Sequence, residues 1–115
     1  MTGGRDLTDE AFEFRTALAP GLGEAYEEFH RAIPAELDAA MRVAGVLEWR
    51  IYRAGTTLTH RVVATDRKRM SRVLDVDPVN ESWQRQIAPY LAAVPEPAAP
   101  ADPGILVWDF AWPTR

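Results

Sequence analysis

Tyr26 and His30 stand one helical turn apart on an otherwise apolar face, and that pair is where this sequence concentrates its capacity for chemistry. A histidine exchanges its proton near neutrality, with an unperturbed pKa of ~6.5, and a tyrosine hydroxyl beside it can relay a proton or orient a ligand. Together they point to proton transfer. Other chemistries are poorly provided for. The chain has no cysteine, which removes disulfides, thiolate nucleophiles and cysteine zinc sites, and its two histidines, His30 and His60, make a poor metal shell. No metal site is expected.

The element that carries the pair runs over residues 21–45. Leu22, Ala25, Tyr26, Phe29, His30, Ile33, Leu37, Ala40, Met41 and Ala44 form one stripe at helical spacing, while Glu24, Glu27, Glu28, Arg31, Glu36, Asp38 and Arg42 fall mostly outside it. Pro34 cannot donate to the carbonyl of His30 and disfavours helical geometry at Ile33, so a kink, or a break restarted at Pro34, is expected there. Gly45 is a natural stop because it tolerates the left-handed conformation that closes a helix.

Around this helix the period changes to two. Residues 11–18 place Phe12, Phe14, Thr16 and Leu18 on one face and Glu13, Arg15 and Ala17 on the other, which reads as a first strand. Leu47, Trp49 and Ile51 alternate with Glu48, Arg50 and Tyr52 in a second. Ala54-Gly55 turns the chain into a third, where Leu58, His60, Val62 and Ala64 alternate with Thr57, Thr59, Arg61 and Val63. A loop with an even number of residues puts Trp49 and His60 on one sheet face; a three-residue loop with a bulge separates them.

Residues 67–74 form a short helix. Asp77-Pro78 opens another, with Val79, Trp83, Ile87 and Tyr90 as its stripe and Pro89 bending or ending it. Residues 92–104 carry four prolines and form an extended spacer. The final apolar run GILVWDFAW is a fourth strand with Ile105 and Val107 on one face and Leu106, Trp108 and Phe110 on the other. The spacer could carry that strand to a partner chain.

The order β-α-β-β-α-α-β is that of a ferredoxin-like split βαβ, an α+β fold whose antiparallel sheet has helices on one face. An open face that is apolar implies a second copy packed against it, hence a homodimer with its sheets face to face. At 115 residues, 47% apolar and 26% charged, the composition is that of one α+β domain over 1–115, with residues 1–10 a loose arm. A net charge of −4 argues against nucleic acid, and Arg67, Lys68, Arg69 and Arg72 read as a solvated helix face. No run reaches the ~20 apolar residues of a membrane span and the N-terminus lacks a signal-peptide core, so a cytoplasmic protein without membrane contact is expected.

Four segments, LAPG, EAYEEFHRAIPAEL, the Gly45 that precedes a strand, and DPVNESW, resemble the L-rhamnose mutarotase family from about Phe12 to Tyr90. The most specific part is a tyrosine, three residues, a histidine, then Ile33 and the Glu36-Leu37 pair of an H-x-x-I-W-P-E-L motif. The resemblance implies a dimeric α+β barrel that uses no cofactor and interconverts the α and β anomers of a deoxysugar or related aldose. Tyr26 and His30 match the family's pocket tyrosine and histidine, His30 as principal acid or base. Trp83 matches the first tryptophan of a tandem pair.

Several positions depart from the family's pattern. The Trp-Pro of the motif is Pro34-Ala35, the second tryptophan of the pair is Gln84, a pocket tyrosine on the second strand is Trp49, His60 stands where a small or apolar residue is usual, and the ending reads LVWDF. On this reading Trp83, Trp49, Gln84 and His60 bind the monosaccharide. The tryptophans stack on the sugar and offer indole N–H groups to its hydroxyls. The alternative is a non-catalytic or divergent member of the dimeric α+β barrel group that holds a small aromatic or hydrophobic metabolite.

Overall fold

A computed structural model describes residues 9–31 and 33–111. Four strands make one antiparallel sheet: β1 (Glu10–Ala17), β2 (Val46–Ala54), β3 (Thr57–Ala64) and β4 (Ile105–Ala111), in the order β1-β3-β2-β4. Four helices accompany them: α1 (Gly23–His30), α2 (Ala35–Val43), α3 (Arg67–Asp75) and α4 (Pro78–Ile87). The insertion of β3 between β1 and β2 is the split βαβ arrangement expected from the element order. The arm expected over residues 1–10 lies, apart from Asp9 and Glu10, outside the described residues.

Pro34 breaks the long helical stretch in two. It sits in extended geometry (φ −62°, ψ 142°) ahead of α2, and its carbonyl accepts from the N–H groups of Leu37 and Asp38. Glu36 and Asp38 in the first turn of α2 complement its positive end, and Arg42 in the last turn pairs with Asp38 at 2.6 Å. Gly45 then takes φ +90°, and a Cβ there would collide with the Thr65 hydroxyl, so glycine is required on two counts. Asp66 caps α3 by accepting from Arg69 N–H. Asp77 caps α4 by accepting from Val79 and Asn80, with Pro78 at the first helical position. Pro89 ends α4 in a short 3₁₀ turn, Ala88–Tyr90.

The β2–β3 hairpin closes with a two-residue loop between Ala54 and Thr57, which sets Ile51 opposite His60 and Trp49 opposite Val62. Trp49 and His60 therefore share the helix-facing side as diagonal neighbours. With Phe12, Phe14, Ile51, Leu58, Val62, Ala64, Trp108 and Phe110 they make the sheet's half of the core. Leu37, Met41, Met70, Leu74, Trp83 and Ile87 supply the helical half.

Two expectations need correction. The face away from the helices is not apolar: Glu13 pairs with Arg15 and Arg61 (2.8 Å each), Arg50 pairs with Glu48 and Asp109, and the Arg61 guanidinium lies 5.2 Å from the centre of the Tyr52 ring. The alternation that puts Phe and Trp on one side of each strand necessarily puts these charges on the other. In β4 a register shift between its Trp108 and Leu106 pairings separates residues expected on one face. Trp108 opposes Ile51 toward the helices, while Leu106 opposes Tyr52 and is 49% exposed.

The spacer has a topological task. The chain leaves the helices at Leu91, bridged to Leu18 beyond β1, and must reach β4 on the opposite edge of the sheet, three strand spacings or about 14 Å away. Glu96 marks its path: its carboxylate accepts from the backbone N–H of Arg15 at 3.0 Å, occupying an otherwise open donor on the edge strand. β4 then pairs with β2 of its own chain.

Candidate active site

A cavity of about 160 Å³ lies between the helices and the sheet. All six residues singled out in the sequence line it: Tyr26 and His30 from α1, Trp49 from β2, His60 from β3, and Trp83 and Gln84 from α4. Phe14 and Thr16 of β1, Leu37 and Met41 of α2, Ile51, Leu74, Asn80, Ile87, Leu91 and Trp108 complete the wall. Tyr26, His30, His60 and Trp83 are buried, Trp49 is half-buried, and Gln84 is exposed, with its side chain reaching Asn80 Oδ1 at 3.4 Å. The volume is below the ~300–1,000 Å³ of sites for drug-sized ligands, which restricts the occupant to about one ring.

His30 has a defined protonation. Its Nδ1 lies 3.1 Å from the Tyr26 carbonyl, and because a carbonyl only accepts, Nδ1 carries the hydrogen. Burial holds the His30 pKa below the usual histidine value, with the carbonyl bond opposing in part, so the ring is neutral at pH 7 and Nε2 carries a lone pair. Nε2 has no partner among the described residues. The side chain is locked by aromatic neighbours: Tyr26 at 4.0 Å between ring centres, Trp83 at 5.2 Å and Trp108 at 6.0 Å, the latter two edge-on. A pre-positioned neutral base in a largely apolar cavity is what these contacts produce.

Tyr26 is 1% exposed, and its hydroxyl likewise has no partner among the described residues. Burial drives its pKa well above 10, so the hydroxyl stays protonated and serves as a donor.

His60 is the reverse of His30. The Trp49 indole, which can only donate, points its Nε1–H at His60 Nδ1 (3.2 Å), so Nδ1 is bare and the hydrogen is on Nε2, 3.0 Å from Thr16 Oγ1. Both ring nitrogens are occupied, and Phe14 stacks on the ring at 4.4 Å. Burial and the neighbouring His30 push its pKa down to about 3. His60 therefore stays a neutral imidazole near neutrality and takes up no second proton there. The indole N–H of Trp49, expected to meet a sugar hydroxyl, is taken up by His60.

The model of the L-rhamnose mutarotase family matches residues 11–108. The chain belongs to the L-rhamnose mutarotase family. A relative named L-rhamnose mutarotase, from Verminephrobacter eiseniae (strain EF01-2), is 33% identical over 79 residues, covering 69% of this chain and 73% of the relative. No solved structure matches at a significant level.

Within this family member, sequence reasoning passed over Thr16, Phe14, Asn80 and Trp108 as wall residues. Thr16 had a signal: it is a polar side chain between Phe14 and Leu18 on the face of the strand that carries Phe12 and Phe14. Trp108 had none, because its approach to His30 depends on where β4 joins the sheet. Among the described residues no three His, Asp or Glu side chains converge as a metal shell would.

Proposed function

We propose that this cavity interconverts the α and β anomers of a single-ring aldose, with L-rhamnose, named by the family and by the relative, as the first candidate. The observation that carries the reading is His30: a neutral, aromatic-clamped imidazole whose Nδ1–H is held by the Tyr26 carbonyl and whose Nε2 is unpartnered at the cavity wall. Nε2 takes the proton of the anomeric hydroxyl and, as imidazolium, gives it to the ring oxygen while the C1–O bond of the ring breaks. Both oxygens are on the same carbon, so one nitrogen can serve both with a small shift of the sugar. The aldehyde turns about its bond to C2, the ring closes on the other face, and the proton returns by the reverse path. Nothing is consumed. Tyr26, kept protonated, donates to the sugar and orients it, while Trp83 and Trp49 offer ring faces to its C–H surface. Gln84, exposed beside Asn80, stands where it can meet an outer hydroxyl.

We also infer a homodimer and a cytoplasmic setting. The family resemblance supports the first. So does the open face, whose alternating Glu13, Arg61, Arg50 and Asp109 charges give a self-complementary surface for a two-fold contact. For the second, no helix among the described residues is long and apolar enough to cross a membrane.

The functional test is exchange between the two anomeric proton signals by NMR saturation transfer, with L-rhamnose, fucose, galactose and glucose. Acceleration of at least one supports the reading, and none across the panel refutes it. Light scattering decides the assembly, a monomer mass at micromolar concentration refuting the dimer.

A further inference from the structure

The cavity holds a second polar chain that the proton transfer does not use, running across three strands from Trp49 on β2 through His60 on β3 to Thr16 on β1. Its direction is determined by its ends. An indole nitrogen cannot accept, so His60 Nδ1 must; a neutral imidazole then carries its hydrogen on Nε2, so Thr16 Oγ1 must accept in turn. The Thr16 hydroxyl hydrogen is left without an acceptor among the described residues, and Thr16 lines the cavity.

We propose that Thr16 is a ligand-binding residue that donates its hydroxyl hydrogen to an oxygen of the sugar, and that His60 and Trp49 are positioning residues that fix that hydroxyl as a donor. The inference rests on the reading of the cavity as the sugar site. A free threonine hydroxyl rotates through all orientations; this one has one lone pair held by His60 Nε2–H, which turns its hydrogen away from the imidazole. With no other acceptor among the described residues, that hydrogen is available to the ligand. The chain also explains why a histidine is buried here in a form that cannot titrate near neutrality. Its two nitrogens differ, one accepting and one donating, and so pass the donor character of the Trp49 indole N–H on to the Thr16 hydroxyl at the cavity wall. Successive bonds of this kind polarise one another and strengthen the terminal donor. Phe14, stacked on the imidazole at 4.4 Å, holds the plane of the ring, and the bonds to Trp49 and Thr16 select the orientation of its nitrogens within that plane. The site therefore selects a ligand that presents an acceptor oxygen toward β1, on the wall formed by the sheet and opposite the helix that carries His30.

The test joins a direct view of the chain with its kinetic consequence. In ¹⁵N-labelled protein at pH 7, long-range ¹H–¹⁵N correlations of the His60 ring should show Nε2 protonated and Nδ1 bare, and the opposite tautomer or an average of the two would overturn the proposal. Thr16→Val keeps the shape and removes the hydrogen. It should raise KM for exchange of the accepted sugar several-fold, about tenfold at most, with kcat changed little, since the bond is to the sugar and not to the migrating proton. Thr16→Ser should restore KM, and a Thr16→Val enzyme with the wild-type KM would overturn the role. Trp49→Phe frees His60 Nδ1, so its ¹⁵N signals should move toward a mixture of tautomers with KM rising as for Thr16→Val; unchanged signals and KM would overturn the positioning role. If the wild type accelerates no sugar, the mutarotase reading fails and takes this inference with it. If it does and Thr16→Val matches it, this inference alone fails.

Discussion

Replacing His60 with Gln should flatten the loss of stability that acid causes, by an amount the burial of this ring sets. In the folded protein His60 has a pKa of about 3, against ~6.5 for an unfolded histidine. Between those values the unfolded chain binds a proton that the native state refuses, so stability rises with pH and is lost as pH falls below 6.5. The slope is ~1.36 kcal/mol per pH unit for one such group. From pH 7.5 to pH 5.0 this amounts to about 2 kcal/mol for His60. Gln cannot titrate, yet offers an acceptor to Trp49 and a donor to Thr16. Urea denaturation of both proteins at the two pH values gives the comparison. Carboxylates and His30 contribute in both and cancel in the difference. The variant should be weaker at pH 7.5, having lost the stack on Phe14, but its additional loss at pH 5.0 should be smaller than the wild type's by about 2 kcal/mol. Equal acid losses would mean that His60 protonates freely in the native state and that the bond order assigned to it is wrong.

Other consequences are as specific. Because burial lowers the His30 pKa and its neutral form is the base, exchange should be level at pH 7 and above and fall as pH drops through a midpoint below 6.5; a pH–rate profile with a midpoint above 6.5 would contradict this. Tyr26→Phe keeps the ring 4.0 Å from His30 and removes only the hydroxyl, so its rate should drop by roughly tenfold or less. Gly45→Ala forces a side chain into φ +90° against the Thr65 hydroxyl and should cost about 1–3 kcal/mol by chemical denaturation.

Much of the fold was legible because period and punctuation agree with each other. Pro34, Gly45, Asp77-Pro78 and Pro89 each act on the backbone within a turn of themselves, so their effects could be read locally, and the loop parity between β2 and β3 put Trp49 and His60 on one face. What stayed hidden depends on contacts far apart in sequence. The register shift in β4 reverses the face of Leu106 relative to Trp108, and no residue of the run GILVWDF announces it. The expected apolar open face failed for a simpler reason: the residues between the inward aromatics are mostly charged, and their ion pairs make the face polar. In the site, helical spacing joined Tyr26 to His30, and family resemblance added Trp83, Trp49, Gln84 and His60. Resemblance does not say which way a hydrogen bond runs. The contrast between His30, with an open nitrogen, and His60, with none, follows only from the partners that three strands and a helix bring to each ring.

The most direct measurement is the α/β exchange rate of L-rhamnose with the wild type and with His30→Asn, by saturation transfer at pH 7.5. Asn retains a polar side chain at that point of α1 and cannot take up a proton, so the enzymatic rate should fall by ~10²- to 10⁴-fold while thermal stabilisation by the sugar persists. A variant that exchanges the anomers as fast as the wild type would remove His30 from the reaction.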